Sequence, residues 1–207
     1  MTVAAAIIGG GRALRLGGRP KHLIEIGGRR IVDRQLDSLR QCFDQVIVVA
    51  PDAASWAGLG LPVVPDLRPA GSGPLAGLES ALAAVAPAHN AVVCVACDMP
   101  FLDPRALALL RDHAPEADAC VPRVGALAEP LFARYATRSA DIVRARLTGP
   151  DHSLVGLLAQ LTVAWIEEPT LRAIDPDLRF LLGVNTSADV ERAEAIASAG
   201  AGATLRP

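Results

Sequence analysis

Aromatic side chains are scarce: four Phe, one Tyr and two Trp among 207 residues. The core must therefore be filled by Ala, Val, Leu and Ile, and a hydrophobic content of 51% is ample for that, which argues against disorder. A basic excess is lacking as well. The formal charge of −2 argues against a general nucleic-acid binder, which carries a positive surplus. No apolar run approaches the roughly 20 residues that a membrane helix needs. The run at residues 3–8 also lacks the basic start and small-residue cleavage site of a signal peptide, so a soluble, cytoplasmic chain with no membrane partner is expected. Disulfides are not expected. Cys94 and Cys97 make one CxxC, but it closes a strand-like run, where side chains three apart point to opposite faces. No second CxxC exists, and buried structural thiols are the reading. Nor is there a His-centred dyad: His22, His89, His113 and His152 are scattered and read as surface or packing residues.

What is present is alternation. Short branched apolar runs predict strands at residues 3–8, 45–50, 62–64 and 91–96. Between them, Val32, Leu36, Leu39 and Phe43 share one helical face, as do Leu75, Leu78, Leu82 and Val85 after Pro74. Asp103 before Pro104 predicts the start of a helix carrying Leu107 and Leu110. Strands alternating with helices imply an α/β fold with a mostly parallel sheet covered on both faces. The second half is less regular, with strands expected at 120–124, 130–135 and 161–166 and helices at 139–147 and 153–161. Thr186 or Ser187 caps a last helix with Val190, Ala193 and Ala197 as its apolar stripe. Residues 58–60 and 69–73 read as loops. One domain fits this length.

Two features carry chemistry. The first directly follows the first strand: Ile8, Gly9, Gly10 and Gly11, then Arg12, Arg15, Arg19 and Lys21. Glycines let a backbone approach an anion closely and offer amide N–H groups to phosphate oxygens, and the four cations supply positive charge around such a cradle. The segment is not a dinucleotide-binding GxGxxG, because Leu14 stands where a glycine is needed. It is not a Walker A loop either, because Lys21 lies between Pro20 and His22. A flexible basic turn is the plainer alternative. The second feature is Cys97-Asp98-Met99-Pro100, at the carboxyl end of the strongest strand, where open α/β sheets receive ligands. A carboxylate there suits Mg²⁺, which binds one or two carboxylates together with substrate phosphates. Asp66, after the run ending at Val64, is a second candidate on the same rim, or else a turn residue.

Taken together, these motifs resemble those of the molybdenum cofactor guanylyltransferases. The resemblance rests on residues 8–28, on Gly73-Pro74-Leu75-Ala76-Gly77, on Cys97-Asp98-Met99-Pro100 and on Val184-Asn185-Thr186, in that order along most of the chain. It implies a three-layer, Rossmann-like nucleotidyltransferase fold in one domain, with a nucleotide-binding half (1–115) and an acceptor-binding half (116–207). It implies that Ile8, Gly9, Gly10, Gly11, Lys21, Asp66, Gly77 and Asp98 contact the nucleotide, that Asp98 binds Mg²⁺, and that Arg15, Lys21 and Asp98 serve catalysis. Asn185 falls on the acceptor side. The implied substrates are GTP and molybdopterin, with transient contact to a molybdoenzyme or its chaperone.

Several positions depart from the family pattern: Gly9 for Ala, Leu16 for Met, Pro20 for Asp or Asn, Gly183 for a polar residue and Ser187 for Pro. Pro20-Lys21 is commoner in sugar and isoprenoid nucleotidyltransferases. The expected reaction joins GMP to the terminal phosphate of molybdopterin. That phosphate is already ionised near neutral pH, so no general base is needed. The rivals are a CTP-dependent enzyme or one with a sugar or isoprenoid phosphate acceptor, a non-catalytic nucleotide-binding protein, and a dinucleotide-dependent oxidoreductase, which Leu14 disfavours.

Overall fold

A computed structural model describes residues 2–9, 18–69 and 71–203. Its strands are β1 (Val3–Ile8), β2 (Glu25–Ile26), β3 (Arg29–Arg30), β4 (Val46–Val49), β5 (Val63–Val64), β6 (Ala91–Ala96), β7 (Ala119–Val124), β8 (Leu127–Ala128), β9 (Phe132–Ala136) and β10 (Val163–Glu167). Its helices are α1 (Ile31–Leu39), α2 (Pro74–Val85), α3 (Pro104–Asp112), α4 (Ala140–Arg146), α5 (Leu154–Leu158), α6 (Glu168–Ile174) and α7 (Ser187–Ala203). No helix of the described residues is long and apolar enough to cross a membrane.

Eight strands form one sheet in the order β10-β7-β9-β6-β1-β4-β5, with β8 paired to β7, while β2 and β3 make a separate hairpin. β1 runs parallel to β4 and β6, β4 to β5, and β10 to β7. β9 lies antiparallel between β6 and β7. The sheet is thus mostly parallel, as periodicity predicts, with a reversal that periodicity cannot encode.

Alternation along the strands divides the core into two layers. Ala5, Ile7, Val93 and Val95 face α1 and α3 through Val32, Leu36, Leu107 and Leu110. Ala4, Ala6, Ile8, Val92 and Cys94 face α2, α4 and α5 through Leu75, Leu78, Leu82, Val143 and Leu157. Small residues on β1 let the helices sit close, which is how a core with few aromatics remains packed. A third, smaller cluster of Ile26, Ile31, Val184 and Ala193 joins the β2–β3 hairpin to α7.

Side-chain oxygens cap the starts of α3, α5 and α7. Asp103 accepts a hydrogen bond from the Arg105 backbone N–H at 2.7 Å, and Ser153 accepts one from Gly156 at 3.1 Å. Thr186 caps α7: its Oγ1 accepts from the Asp189 N–H (3.2 Å) while Asp189 accepts from the Thr186 N–H (2.8 Å). Some elements differ from expectation. Phe43 lies past the end of α1 yet still joins the core, and α5 closes after five residues. At the far end of α3, the fully buried Arg134 of β9 donates to the carbonyls of Leu110, His113 and Ala114. The final carbonyls of a helix need such donors when water is excluded.

Candidate active site

Parallel pairing brings the carboxyl ends of four strands to one rim. Ile8 pairs with Val49 and with Ala96, and Val49 pairs with Val64. The chain leaves each strand in register, with the Gly9 N–H donating to Val49 (2.7 Å), the Cys97 N–H to Ile8 (3.2 Å) and the Ala50 N–H to Val64 (3.1 Å). Residues just beyond these ends must therefore meet in space, as expected for ligand sites of open α/β sheets. They enclose a cavity of about 460 Å³ whose walls include Ile8, Gly9, Lys21, Asp66, Gly77, Asp98 and Asn185. Gly10, Gly11, Arg12 and Arg15 lie outside the described residues.

One wall is backbone. Helix α2 begins at Pro74 after Gly73, whose φ of 82° is a left-handed conformation that favours glycine. The next turn brings Gly77 against β1, where an added Cβ would lie 2.8 Å from Ile8 Cγ2. Gly77 therefore allows the closest approach of α2 to the strand end. Gly9 is constrained on the opposite side of the sheet. A Cβ there would meet Trp56 Cζ2 at 2.6 Å, so Gly9, standing where the resembled family has Ala, leaves room for an indole.

The charged wall comes from three separate segments. Lys21 lies in a 3-10 turn (Lys21–Leu23) entered through Pro20, which has extended backbone and accepts the Leu23 N–H at 3.0 Å. Its Nζ donates to Asp98 Oδ2 at 2.8 Å and to Asn185 Oδ1 at 2.5 Å. Both partners of the ion pair are mostly shielded, with side-chain exposures of 16% and 13%. Asn185 is brought there by a backbone hydrogen bond from Val184 to the Asp98 carbonyl (2.9 Å), and its own N–H donates to Asp189 Oδ2 at the start of α7. Gly183 leaves the far side of the carboxylate open: a Cβ there would be 3.5 Å from Asp98 Oδ1 and 3.3 Å from Asn185 Nδ2.

Asp66 has no hydrogen bond or ion pair among the described residues, and burial pushes its carboxyl above the ordinary aspartate value. Its segment is held from both sides. The Leu67 N–H donates to Ser80 Oγ at 2.9 Å, and Arg68 makes a two-pronged bond to Glu79 at 2.7 and 2.8 Å. Glu79 is only 6% exposed, and the Arg68 guanidinium holds its carboxyl below the usual range. Among the described residues no group of three or more His, Cys, Asp or Glu could hold a metal. None of the four cysteines is in a disulfide, and Cys94 and Cys97 are buried.

Sequence reasoning overlooked Pro51, Gly71 and Leu131 in the cavity wall, and the Glu79–Arg68 clasp behind Asp66. One available signal was composition: Lys21 is the only lysine in the chain, and every other Lys or Arg position is arginine. His22, beside it, is a packing residue as expected, 3% exposed and stacked on Trp56.

Comparison with known proteins gives the family of the chain. A molybdenum cofactor guanylyltransferase of Desulfosudis oleivorans is 30% identical over 202 residues, covering 96% of this chain and 97% of its own. Another of the same name from Cereibacter sphaeroides is 33% identical over 199 residues, covering 95% and 97%. The crystal structure of molybdopterin-guanine dinucleotide biosynthesis protein A from Archaeoglobus fulgidus superposes with a TM-score of 0.80 at 28% identity, covering 96% of this chain and all of that one. Residues 5–165 match the model of the MobA-like NTP transferase domain. The chain belongs to the MobA-like NTP transferase family.

Proposed function

We propose that this chain transfers GMP from GTP to the terminal phosphate of molybdopterin and releases pyrophosphate, forming molybdopterin guanine dinucleotide. The observation that carries the reading is the convergence of Lys21, Asp98 and Asn185, from three distant motifs, in the wall of a cavity that Gly9, Gly71, Gly73 and Gly77 also line. The names of relatives that span nearly the whole chain favour guanylyl over cytidylyl transfer.

In this reading the chain is one domain, with residues 1–115 forming the nucleotide half and 116–207 the acceptor half. Backbone at Ile8, Gly9, Gly10, Gly11 and Gly77 cradles the nucleotide, whose phosphates meet Lys21. Asp66 contributes a hydrogen-bond acceptor to the same ligand. Asn185 faces molybdopterin. The oxygens of Asp98 and Asn185 already converge on one cation, the Lys21 ammonium, and hard oxygens of this kind suit Mg²⁺. Asp98 would hold the ion. Mg²⁺ typically binds one or two carboxylates together with substrate phosphates, and Asp98 would supply the carboxylate. When bound, Mg²⁺ neutralises triphosphate charge and stabilises the departing pyrophosphate.

The protein's own task is electrostatic. An acceptor phosphate oxygen attacks the α-phosphorus, and the bond to the β-phosphate oxygen breaks. Two anions must approach, and Lys21, on its long stem, turns from Asp98 to the triphosphate while Arg15 adds charge nearby. No proton needs removal from an ionised acceptor, which suits a site without a histidine base. A cytoplasmic setting and hand-over of product to a molybdoenzyme or its chaperone belong to the same reading.

The test is Asp98→Asn. Turnover should fall by at least about two orders of magnitude, with the Mg²⁺ requirement shifted upward and the unfolding transition little changed. Near-normal turnover would remove Asp98 from the mechanism.

A further inference from the structure

Resting on that reading of the site, we infer that Trp56 and His22 form a stacked pair that positions Lys21 towards Asp98 and Asn185 in the cavity at the end of β1. Gly9, Trp56 and His22 come from three separate segments and touch in series. Trp56 ends a 3-10 turn (Ala54–Trp56) after β4 and is 3% exposed. Its six-membered ring lies against Gly9, so close that a Cβ would fall 2.6 Å from Cζ2 and 3.2 Å from Cε2. Its face carries the His22 imidazole, with ring centroids 3.7 Å apart and planes within 12°. His22 Nε2 lies 2.9 Å from the Ser55 carbonyl, so the ring is held by its face and by its edge.

Position in the chain gives this stack its consequence. His22 is the residue after Lys21 in the same short turn, so fixing its ring fixes the backbone from which the lysine stem departs. A lysine carries about four rotatable bonds of freedom, and a loose turn beneath it would spread the ammonium over a wide volume. Instead Nζ sits between Asp98 and Asn185. Gly9 is part of the same device, because alanine there and tryptophan at 56 cannot both be accommodated. The pair touches none of the reacting groups. Trp56 and His22 are positioning residues that work through Lys21.

Since Lys21 is the only lysine, amine acylation of the intact protein reports on it alone once the N-terminal peptide is separated by mass spectrometry. His22→Ala should raise the Lys21 acylation rate about two- to tenfold, the range expected for loss of one aromatic stack. It should also lower kcat for GTP more than it raises KM. His22→Phe keeps a ring on Trp56 and should restore slow labelling. Gly9→Ala should raise labelling, and Gly9→Ala with Trp56→Phe should lower it again by removing the clash. Leu157→Ala, in the opposite core layer, serves as a control for general loosening.

Wild-type labelling rates in both His22→Ala and Gly9→Ala would overturn the inference, as would equal acceleration by Leu157→Ala. If wild-type protein failed to turn over GTP, the functional reading would fall, while the labelling series would still decide the positioning role. If turnover is present and labelling is insensitive to His22, only the positioning role falls.

Discussion

The contact between Gly77 and Ile8 provides a sharp test of how the cavity is built. Replacing Gly77 by Ala places a Cβ 2.8 Å from Ile8 Cγ2, roughly 1 Å inside the usual carbon–carbon contact of about 3.5–4.0 Å. Ile8 is branched at Cβ and buried at the end of β1, so it cannot turn away cheaply. The start of α2 must lift instead. Two effects oppose each other. Alanine favours a helix interior over glycine by about 1 kcal/mol, whereas overpacking costs about 1–3 kcal/mol. The net expectation is a loss of about 1 kcal/mol, or a melting temperature about 2–4 °C lower for a chain of this size. Because Gly73, Pro74 and Gly77 face Ile8 and Gly9 across the same cavity, the KM for GTP should rise about three- to tenfold. Thermal unfolding and steady-state kinetics measure the two effects separately. The double variant with Ile8→Ala should show positive coupling, since the second change removes the clash. A Gly77→Ala protein that is more stable than wild type, with an unchanged KM, would refute the close-approach reasoning.

Other perturbations probe the charges. Lys21→Ala should slow transfer by about two to three orders of magnitude and weaken nucleotide binding; kinetics matching wild type would require a different role for the loop. Glu79→Gln should destabilise the protein by about 1–3 kcal/mol, because it leaves Arg68 without its buried partner. Arg68 holds the folded Glu79 carboxyl below its ordinary 4.5, so the pair's stabilisation is present above that pH and is lost as pH falls through the folded value. The variant should therefore show a shallower loss of stability in acid, and an unchanged slope in urea titrations would count against the clasp. His22 behaves similarly for a different reason. Burial lowers its folded pKa below 6.5, so the unfolded chain takes up the proton first and stability falls as pH drops below 6.5. That slope should be missing in His22→Phe.

Much of the architecture was legible because its signals are local. The six-residue apolar run of β6, the Pro74 start of α2 and the Asp103 cap of α3 each depend on neighbours in sequence. The reversal of β9 was not legible, since an apolar strand reads the same in either direction. The β2–β3 hairpin has two residues per strand, too few for a period, and α6 buries only Leu171. In the cavity, the places of Asp98 and Asp66 were legible from the strand-like runs that precede them, β6 and β5. Gly9 and Gly183 were legible only as departures from a pattern. Their neighbours lie far along the chain, Trp56 for Gly9 and Asp98 for Gly183.

The identity of the transferred nucleotide is tested most directly by incubating the purified protein with Mg²⁺ and molybdopterin, adding GTP or CTP in parallel, and measuring pyrophosphate release. Release with GTP, stoichiometric with molybdopterin guanine dinucleotide and at least about tenfold faster than with CTP, is the expected result. Release with CTP alone, or with neither nucleotide, would contradict the assignment.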